Sequence, residues 1–519
     1  MPYKVICLFH QGGRTMNHNH VIIIGGGIGG LCCGLRLLHA GYQVSLYEKC
    51  PQVGGVIQST SSVPGYADYD SFASIGIHPH TYRQIFTDIG LNWEDYFSEI
   101  SLDELYRIFY EDGSSFTLKK HATSQKADFE AFFNVSFNDY HAFIQQFYKK
   151  YLVAHQLILS EPFTHLKDAM VPDKLCALIK LNPILSASAA IKHKFSNPKL
   201  RDFLLFQTYY MGFPTTLISQ LYATIPACTQ VLGLTHIKGG MGAYAKALER
   251  AFIAYKGKIY CNEPITQILT CNNQAYGVLT SSGKVKHANI VISNADYHFT
   301  LTRLLKRSTL FQRPFLSFQM TCSVFMLRLT LSIPLPKLST HNICLIQDTE
   351  KTFLAIANGM MPFKFPMYIY YPSCIDDTFN LSGSTTLNIM VRVPNLSFNS
   401  SYWSPLTIHQ MRSICLKHLA KLVGIEHIES YIVHESISTP SDLAQKFNCY
   451  QGAAFGLAPS MIQNAWLKPQ PIHPSIKNLY FTGTSIHPGN GISIVMEGAK
   501  IVTNLIQSNH PLASTQSRS

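Results

Sequence analysis

Residues 21–48 constrain this chain more than any other segment. Val21-Ile-Ile-Ile24 is an unbroken apolar run, the pattern of a strand buried on both faces. Gly25-x-Gly27-x-x-Gly30 follows, then Leu31 to Ala40 at helical spacing, with Gly41 as a helix stop. Val44 to Tyr47 reads as the next strand, and Glu48 ends it. Strand, glycine turn, helix and strand in this order predict a βαβ unit. The first glycine makes the tight turn, the second lets backbone approach a pyrophosphate, and the third lets the helix pack on the strand. The helix N-terminus then turns unsatisfied N–H groups toward phosphate. A carboxylate about twenty residues on accepts a ribose diol and repels a 2′-phosphate. The segment therefore predicts an adenine dinucleotide bound at Gly25, Gly27, Ile28, Gly29, Gly30 and Glu48.

Composition narrows the setting. The chain has 519 residues, enough for two or three cores. It is 46% hydrophobic and only 14% charged, with a mean hydropathy of +0.07. So much apolar material needs a large core, an apolar tunnel or a membrane contact. The net charge is +12, which suits anionic partners. The basic residues form no run of the kind that marks a nucleic-acid footprint, so an anionic lipid surface is the better fit and nucleic acid is not expected. The 13 cysteines include no Cys-x-x-Cys pair, and the 22 histidines lack ligand spacing. Neither a disulfide framework nor a metal site is expected, and a reducing compartment follows. No apolar run reaches the roughly 20 residues of a spanning helix. Met16 is a candidate start, which would leave 1–15 as a disordered lead.

Residues 100–225 carry aromatics and leucines at helical spacing. Leu152 to Leu159, Leu175 to Leu181 and Phe203 to Tyr210 predict helices. Lys167, Lys174, Lys180, Lys192, Lys194, Lys199 and Arg201 crowd this stretch with few acids nearby. They form either a solvated helix face or a basic amphipathic surface that docks on lipid. Residues 230–300 return to an α/β pattern. Gly239-Gly240-Met241-Gly242 opens a helix, Ala275 to Leu279 with Val285 to His287 resembles a hairpin, and Asn289 to Ser293 is a buried strand. Gly240-x-Gly242-x-x-Ala245 imitates a second fingerprint, but Thr235-His-Ile-Lys238 before it is not an apolar strand, so it reads as a packing turn. Ser323 to Leu329 and Leu387 to Val391 alternate, favouring a mixed or antiparallel sheet.

Two further glycine motifs carry a family resemblance. Glu48-Lys-Cys-Pro-Gln-Val-Gly54-Gly55 resembles the extended flavin motif of the amine oxidases and carotenoid desaturases, which implies FAD. Gly483-Thr-Ser-Ile-His487-Pro488-Gly489-Asn-Gly491-Ile492, a strand end, turn and helix start, resembles the signature of the phytoene desaturases. Its Ser-Ile-His-Pro-Gly version looks more like the branch acting on thirty-carbon diapocarotenes. Lys238-Gly-Gly-Met241, Ser293-Asn294-Ala295-Asp296 and Asn448-Cys-Tyr450-Gln-Gly452-Ala-Ala-Phe455 resemble further family blocks. One departure is Asp70-Ser71-Phe72, where the family usually has Asp-x-Gly; a bulky ring replaces a glycine that lets backbone near the flavin.

The resemblance implies an α/β fold: a discontinuous Rossmann-like FAD-binding domain of the glutathione-reductase type, from 16–100, 228–305 and 440–508. It is joined to a mixed α+β substrate domain, with a helical, membrane-contacting region at 101–227 and a mixed sheet at 306–439. Residues 1–15 and 509–519 are expected to be disordered. Lys49, Gly54, Gly55, Val56, Ile265, Gly483, Thr484, His487, Gly491 and Ile492 complete the implied cofactor contacts. No metal is implied. The implied activity is desaturation of a linear polyene, an allylic C–H giving hydride to the flavin while a neighbouring proton leaves. His487 is the first candidate near the flavin, with Asp296 and Glu497 behind it, and none is assigned as a catalytic acid or base. The implied substrate is a lipophilic polyene, phytoene-like or diapophytoene-like, and oxygen or a membrane quinone would accept the electrons. The implied location is cytoplasmic, peripheral on the inner face of the membrane. A terminal-methyl oxidase of the same family, an amine oxidase and a non-catalytic flavin-fold scaffold stay open.

Overall fold

The computed structural model describes residues 19–60, 63–70, 72, 74–162, 171–305, 318–460, 463 and 467–512, without side chains at 174, 175 and 178. The expectations placed on Met16, Lys167, Ser71 and residues 1–15 and 513–519 lie outside them.

Five parallel strands form the first sheet, in the order Lys258–Tyr260, Gln43–Tyr47, His20–Ile24, Ile290–Ser293, Leu479–Phe481. Three distant parts of the chain therefore meet side by side. The alternation within Val21–Ile24 explains why this run is apolar throughout. Val21 and Ile23 pack among the helices Ile28–His39, Gly240–Ala254 and Ile492–Asn509, whereas Ile22 and Ile24 pack against the antiparallel strands Ile265–Cys271 and Gln274–Thr280. Both faces are covered, so no position tolerates a polar side chain. Gly34 shows the closeness of the helical layer: a Cβ there would lie 2.2 Å from the Phe252 ring.

The second sheet has seven strands, in the order Ile432–Ser438, Ser323–Leu331, Thr385–Val393, Met367–Tyr370, His341–Cys344, Glu104–Phe109, Ser115–Lys119. It is antiparallel except where His341–Cys344 runs parallel to Glu104–Phe109. One face, with Phe325, Leu327 and Leu329, packs on Met411, Cys415 and Leu419 of the helix Pro405–Val423. The other, with Val324, Met326 and Tyr368, joins the core built by the helices Phe137–Ala154 and Pro198–Thr208. Every residue of Ser323–Leu331 and Thr385–Val393 is buried.

Several sequence expectations are corrected. The stretch from 101 is not purely helical: it opens with the hairpin Glu104–Phe109 and Ser115–Lys119, which extends the seven-stranded sheet. Leu234–Ile237 is a buried strand despite its Thr and His, held between Gly76–Ile77 and Glu99–Ser101. The tail is ordered past 509: the Tyr42 hydroxyl donates to the His510 carbonyl at 2.6 Å, and Leu512 packs near Gly41. Among the described cysteines, Cys271 is disulfide-bonded and the other eleven are free.

Candidate functional site

The turn from Gly25 to Gly30 is fixed by glycine at named contacts. Gly25 has φ +96°, a backbone conformation that disfavours a side chain. A Cβ on Gly30 would sit 2.4 Å from the Gly25 carbonyl oxygen, a backbone atom that cannot swing aside. A Cβ on Gly27 would meet the Asn294 amide nitrogen at 2.8 Å, and one on Gly29 the Asn294 amide oxygen at 2.6 Å. Asn294 also donates to the Gly25 carbonyl at 3.1 Å. It follows the strand Ile290–Ser293, so a neighbouring strand braces the turn.

Glu48 is buried at the end of the adjacent strand. One carboxylate oxygen accepts the Gly26 N–H at 2.6 Å, and the other accepts the Cys50 N–H at 2.8 Å. The Gly54 N–H donates to the Gly26 carbonyl at 2.8 Å. Both polar groups of Gly26 are thus held, one by the acid and one by the glycine pair downstream. Gly54 and Gly55 both take positive φ, and a Cβ on Gly55 would lie 3.3 Å from the Gly27 Cα. This gives a physical reason for the Glu-then-Gly-Gly spacing: the pair runs alongside the phosphate loop. Lys49 turns elsewhere, donating at 2.8 Å to the Gln445 carbonyl and to Asn448. Ile265 is buried beside Tyr47 and Ile24, beneath the sheet.

The C-terminal motif adds a second helix start. Gly483 has φ +110°, and a Cβ there would stand 3.1 Å from the Asn294 amide oxygen. Asn294 therefore touches both glycine turns. Gly491, at φ +101°, precedes the helix Ile492–Asn509, whose Val495 abuts Gly29. Two helix N-termini so converge, which suits a dinucleotide with a pyrophosphate at its middle and an electron-poor ring at one end. The cradle of close backbones, the N-termini and the buried acid fit FAD.

A cavity of about 530 Å³ begins at Ile28, Val56, Gly491 and Ile492. It continues past Val324, Met390 and Tyr368 on the seven-stranded sheet and reaches Ile158, Leu159 and Ile184 in the helical region. Ile184 is 79% exposed, so the cavity opens there. Phe72 lines it, with the Arg328 guanidinium 5.2 Å from its ring and Phe447 edge-on. The ring at a position where the resemblance implies a glycine is thus part of the cavity wall.

The ionisable groups here are unusual. His487 is 1% exposed and its Nε2 donates to the Glu161 carbonyl at 3.0 Å, which fixes its ring. His78 is held by the Tyr151 hydroxyl at 2.9 Å, and burial, more than the neighbouring His80 and His155, pushes it down to about 4. It is neutral at physiological pH. Lys468 is 3% exposed and donates to the Pro488 carbonyl at 3.4 Å; burial lowers its ammonium to about 8. Asp296 accepts the N–H groups of His298 and Phe299 and the Ser485 hydroxyl, a helix-capping role. Glu497 faces His155 at 3.7 Å. Burial pushes Asp70 up to about 6, against the opposing pull of His236. Among the described residues no cluster of His, Cys, Asp and Glu could hold a metal ion.

Sequence reasoning did not single out Asn294 alone, nor Lys468 or Arg392. Asn294 sat inside a quoted block, and only the parallel pairing of Ile290–Ser293 with His20–Ile24 brings it to Gly27. Lys468 and Arg392 carried no signal, because burial of a cation is invisible in a spacing pattern.

Comparison with known proteins agrees with this geometry. A family model described as "Flavin containing amine oxidoreductase" matches residues 28–314, more than half of the chain. A 4,4'-diapophytoene desaturase (4,4'-diaponeurosporene-forming) of Staphylococcus aureus (strain COL) is 27% identical over 492 residues, covering 93% of this chain and 98% of that protein. A redesigned putrescine oxidase superposes with a TM-score of 0.63 at 15% identity, covering 94% of this chain and 98% of the other. Cyclohexylamine oxidase from Brevibacterium oxydans IH-35A does so with a TM-score of 0.58 at 12% identity, covering 94% and 99%. At these identities the two structures speak to the fold.

Proposed function

The chain belongs to the flavin containing amine oxidoreductase family, and from that premise we propose that it is an FAD-dependent desaturase of a linear carotenoid precursor, a phytoene- or diapophytoene-like polyene. The cavity carries this reading. It runs from the two cofactor-binding turns to an exposed apolar mouth, with walls that are mainly aliphatic and aromatic. A polyene offers little but apolar surface, and burying it contributes roughly 25 cal/mol per Å². The resemblance over nearly the whole length to a diapophytoene desaturase supports the same substrate class.

FAD, when bound, supplies a two-electron acceptor for hydrogen lost from adjacent carbons. The chain's own residues do the rest. Val324, Met390 and Tyr368 hold an apolar chain beyond the turns, Phe72 narrows the passage, and the apolar walls exclude water. His487 and the neutral His78 line the same space, each anchored through a ring nitrogen. Molecular oxygen or a membrane quinone is the proposed final acceptor.

We place the mouth against a lipid surface. Ile179 and Ile184 are each 79% exposed, and Leu152, Val171, Leu185 and Leu217 are exposed in the same helical region. The basic residues contribute less than their number suggests, because Lys192, Lys194 and Lys199 pair with Glu350, Asp139 and Asp112. No helix among the described residues is long and apolar enough to cross a membrane.

Coexpression with a diapophytoene- or phytoene-producing pathway tests the reading. New conjugated hydrocarbons are expected. Polar aldehydes or acids would instead indicate terminal-methyl oxidation, and an untouched precursor in both backgrounds would refute a carotenoid substrate.

A further inference from the structure

A buried cation stands on the sheet wall of this cavity with no anion among the described residues to balance it. Arg392, near the end of the strand Thr385–Val393, is 6% exposed and lines the cavity. Its Nη1 lies 2.7 Å from the Met390 sulfur, a weak acceptor, and its Nε has no hydrogen-bond partner. The guanidinium sits 4.9 Å from the Phe455 ring. The polar groups that feel its charge are Tyr209, Tyr210, Tyr368 and Cys322, and burial raises all four, so none is anionic. No carboxylate of a described residue pairs with it.

The energetics make this arrangement costly. An arginine stays charged, and a buried, unpaired charge costs several kcal/mol. A neutral side chain of similar length would fill the space without that cost. Arg328, also deeply buried, differs: it donates to the Asp70 carbonyl and to the Ser438 hydroxyl. Lys468 is the cavity's other buried cation, but it lies beside Pro488 and Gly489, within the cofactor-binding turn. Arg392 is on the sheet, beside Val324 and Met390, where an apolar chain would run. A guanidinium is suited to a carboxylate, which it can grip through two parallel N–H···O bonds.

We propose that Arg392 is a carboxylate-recognition point for the polyene, so that the chain preferred by this cavity carries an acid group at the end reaching the sheet. The assignment rests on the polyene reading above and narrows it: a pure hydrocarbon leaves Arg392 unpaired, whereas an acid-ended chain satisfies it. The apolar walls select for length, and Arg392 selects for the end group and sets which end enters first.

The test uses FAD-loaded protein and polyenes of one carbon skeleton ending in methyl, carboxylate or methyl ester. Binding is followed by quenching of flavin fluorescence. The wild type is expected to bind the acid at least ten-fold more tightly than the hydrocarbon or the ester. Arg392→Met is expected to remove that preference by weakening acid binding, to tighten hydrocarbon binding because no charge is then left unpaired beside the chain, and to keep both FAD content and flavin spectrum. Arg392→Lys should retain part of the preference. Equal affinities in the wild type would overturn the proposal, with no variant needed. So would an Arg392→Met protein that loses FAD or shifts the flavin spectrum while still preferring the acid, because Arg392 would then serve the cofactor. Tight binding of the hydrocarbon without acid preference would sink this inference and leave the desaturase reading standing; binding of no polyene at all would sink both.

Discussion

The Glu48 carboxylate accepts the Gly26 N–H at 2.6 Å, tying the end of one strand to the turn that follows its neighbour. The same acid accepts the Cys50 N–H, and Gly54 closes the other side of Gly26. The residue predicted to hold a ribose therefore also shapes the phosphate loop. Glu48→Gln turns an amide NH₂ toward one of two backbone donors, leaving a buried N–H unsatisfied. The expected cost is about 1–3 kcal/mol. A lower melting temperature of the FAD-free protein and a reduced flavin-to-protein absorbance ratio would both register it. An unchanged melting temperature would confine Glu48 to the ribose.

Glycine substitutions in the loop should differ in kind. Gly30→Ala drives a Cβ into the Gly25 backbone oxygen and is expected to prevent folding into soluble protein. Gly27→Ala meets the Asn294 side chain, which can retreat. It should fold yet retain little FAD, and adding Asn294→Ala should restore part of the loading. Solubility and flavin content distinguish the two cases, and equal behaviour would contradict the contact geometry.

Lys468 makes stability depend on pH in the FAD-free protein. Its folded value of about 8 lies below the ordinary 10.5. Between these values the folded chain has released the proton while the unfolded chain keeps it, so stability rises with pH across that window. Below about 8 the full cost of the buried charge is present. Lys468→Met should therefore stabilise the FAD-free protein at pH 7, by up to about 3 kcal/mol, and flatten its melting curve between pH 8 and 10. A variant less stable than the wild type at pH 7 would show that the ammonium is stabilised by its surroundings.

Membrane contact through the cavity mouth predicts a specific variant effect. Ile179→Glu with Ile184→Glu should reduce cosedimentation with anionic vesicles at least ten-fold, with little change in melting temperature, since both side chains are largely exposed. Neutralising Lys192 or Lys194, which are already paired, should matter far less. The reverse ranking would assign docking to charge.

Much of the cofactor side was legible because local rules govern it. A turn that must bring backbone close to phosphate needs glycine at set offsets, and Gly25, Gly27 and Gly30 satisfy that whatever surrounds them. Glu48 was legible for the same reason. Lys49, two residues past the strand Gln43–Tyr47, bonds instead to Gln445 and Asn448, partners that no spacing in the sequence announces. The hairpin Glu104–Phe109 with Ser115–Lys119 was missed because its value lies in pairing with His341–Cys344, far along the chain. Leu234–Ile237 was missed because Thr235 and His236 look polar, yet burial between two strands and a bond from His236 to Asp376 at 2.7 Å accommodate them.

What the amino-acid order determined alone was the βαβ unit from Val21 to Glu48, the glycine turn at His487–Gly491, and hence a dinucleotide fold. Tertiary structure decided which side chains share the cavity. Asn294 reaches both glycine turns and Phe72 becomes a wall through contacts between segments hundreds of residues apart, and Arg392 and Lys468 are buried as cations by the packing around them. Backbone geometry repeats over a few residues and leaves a periodic trace in sequence; burial of a single charge depends on the whole packed surround and leaves none.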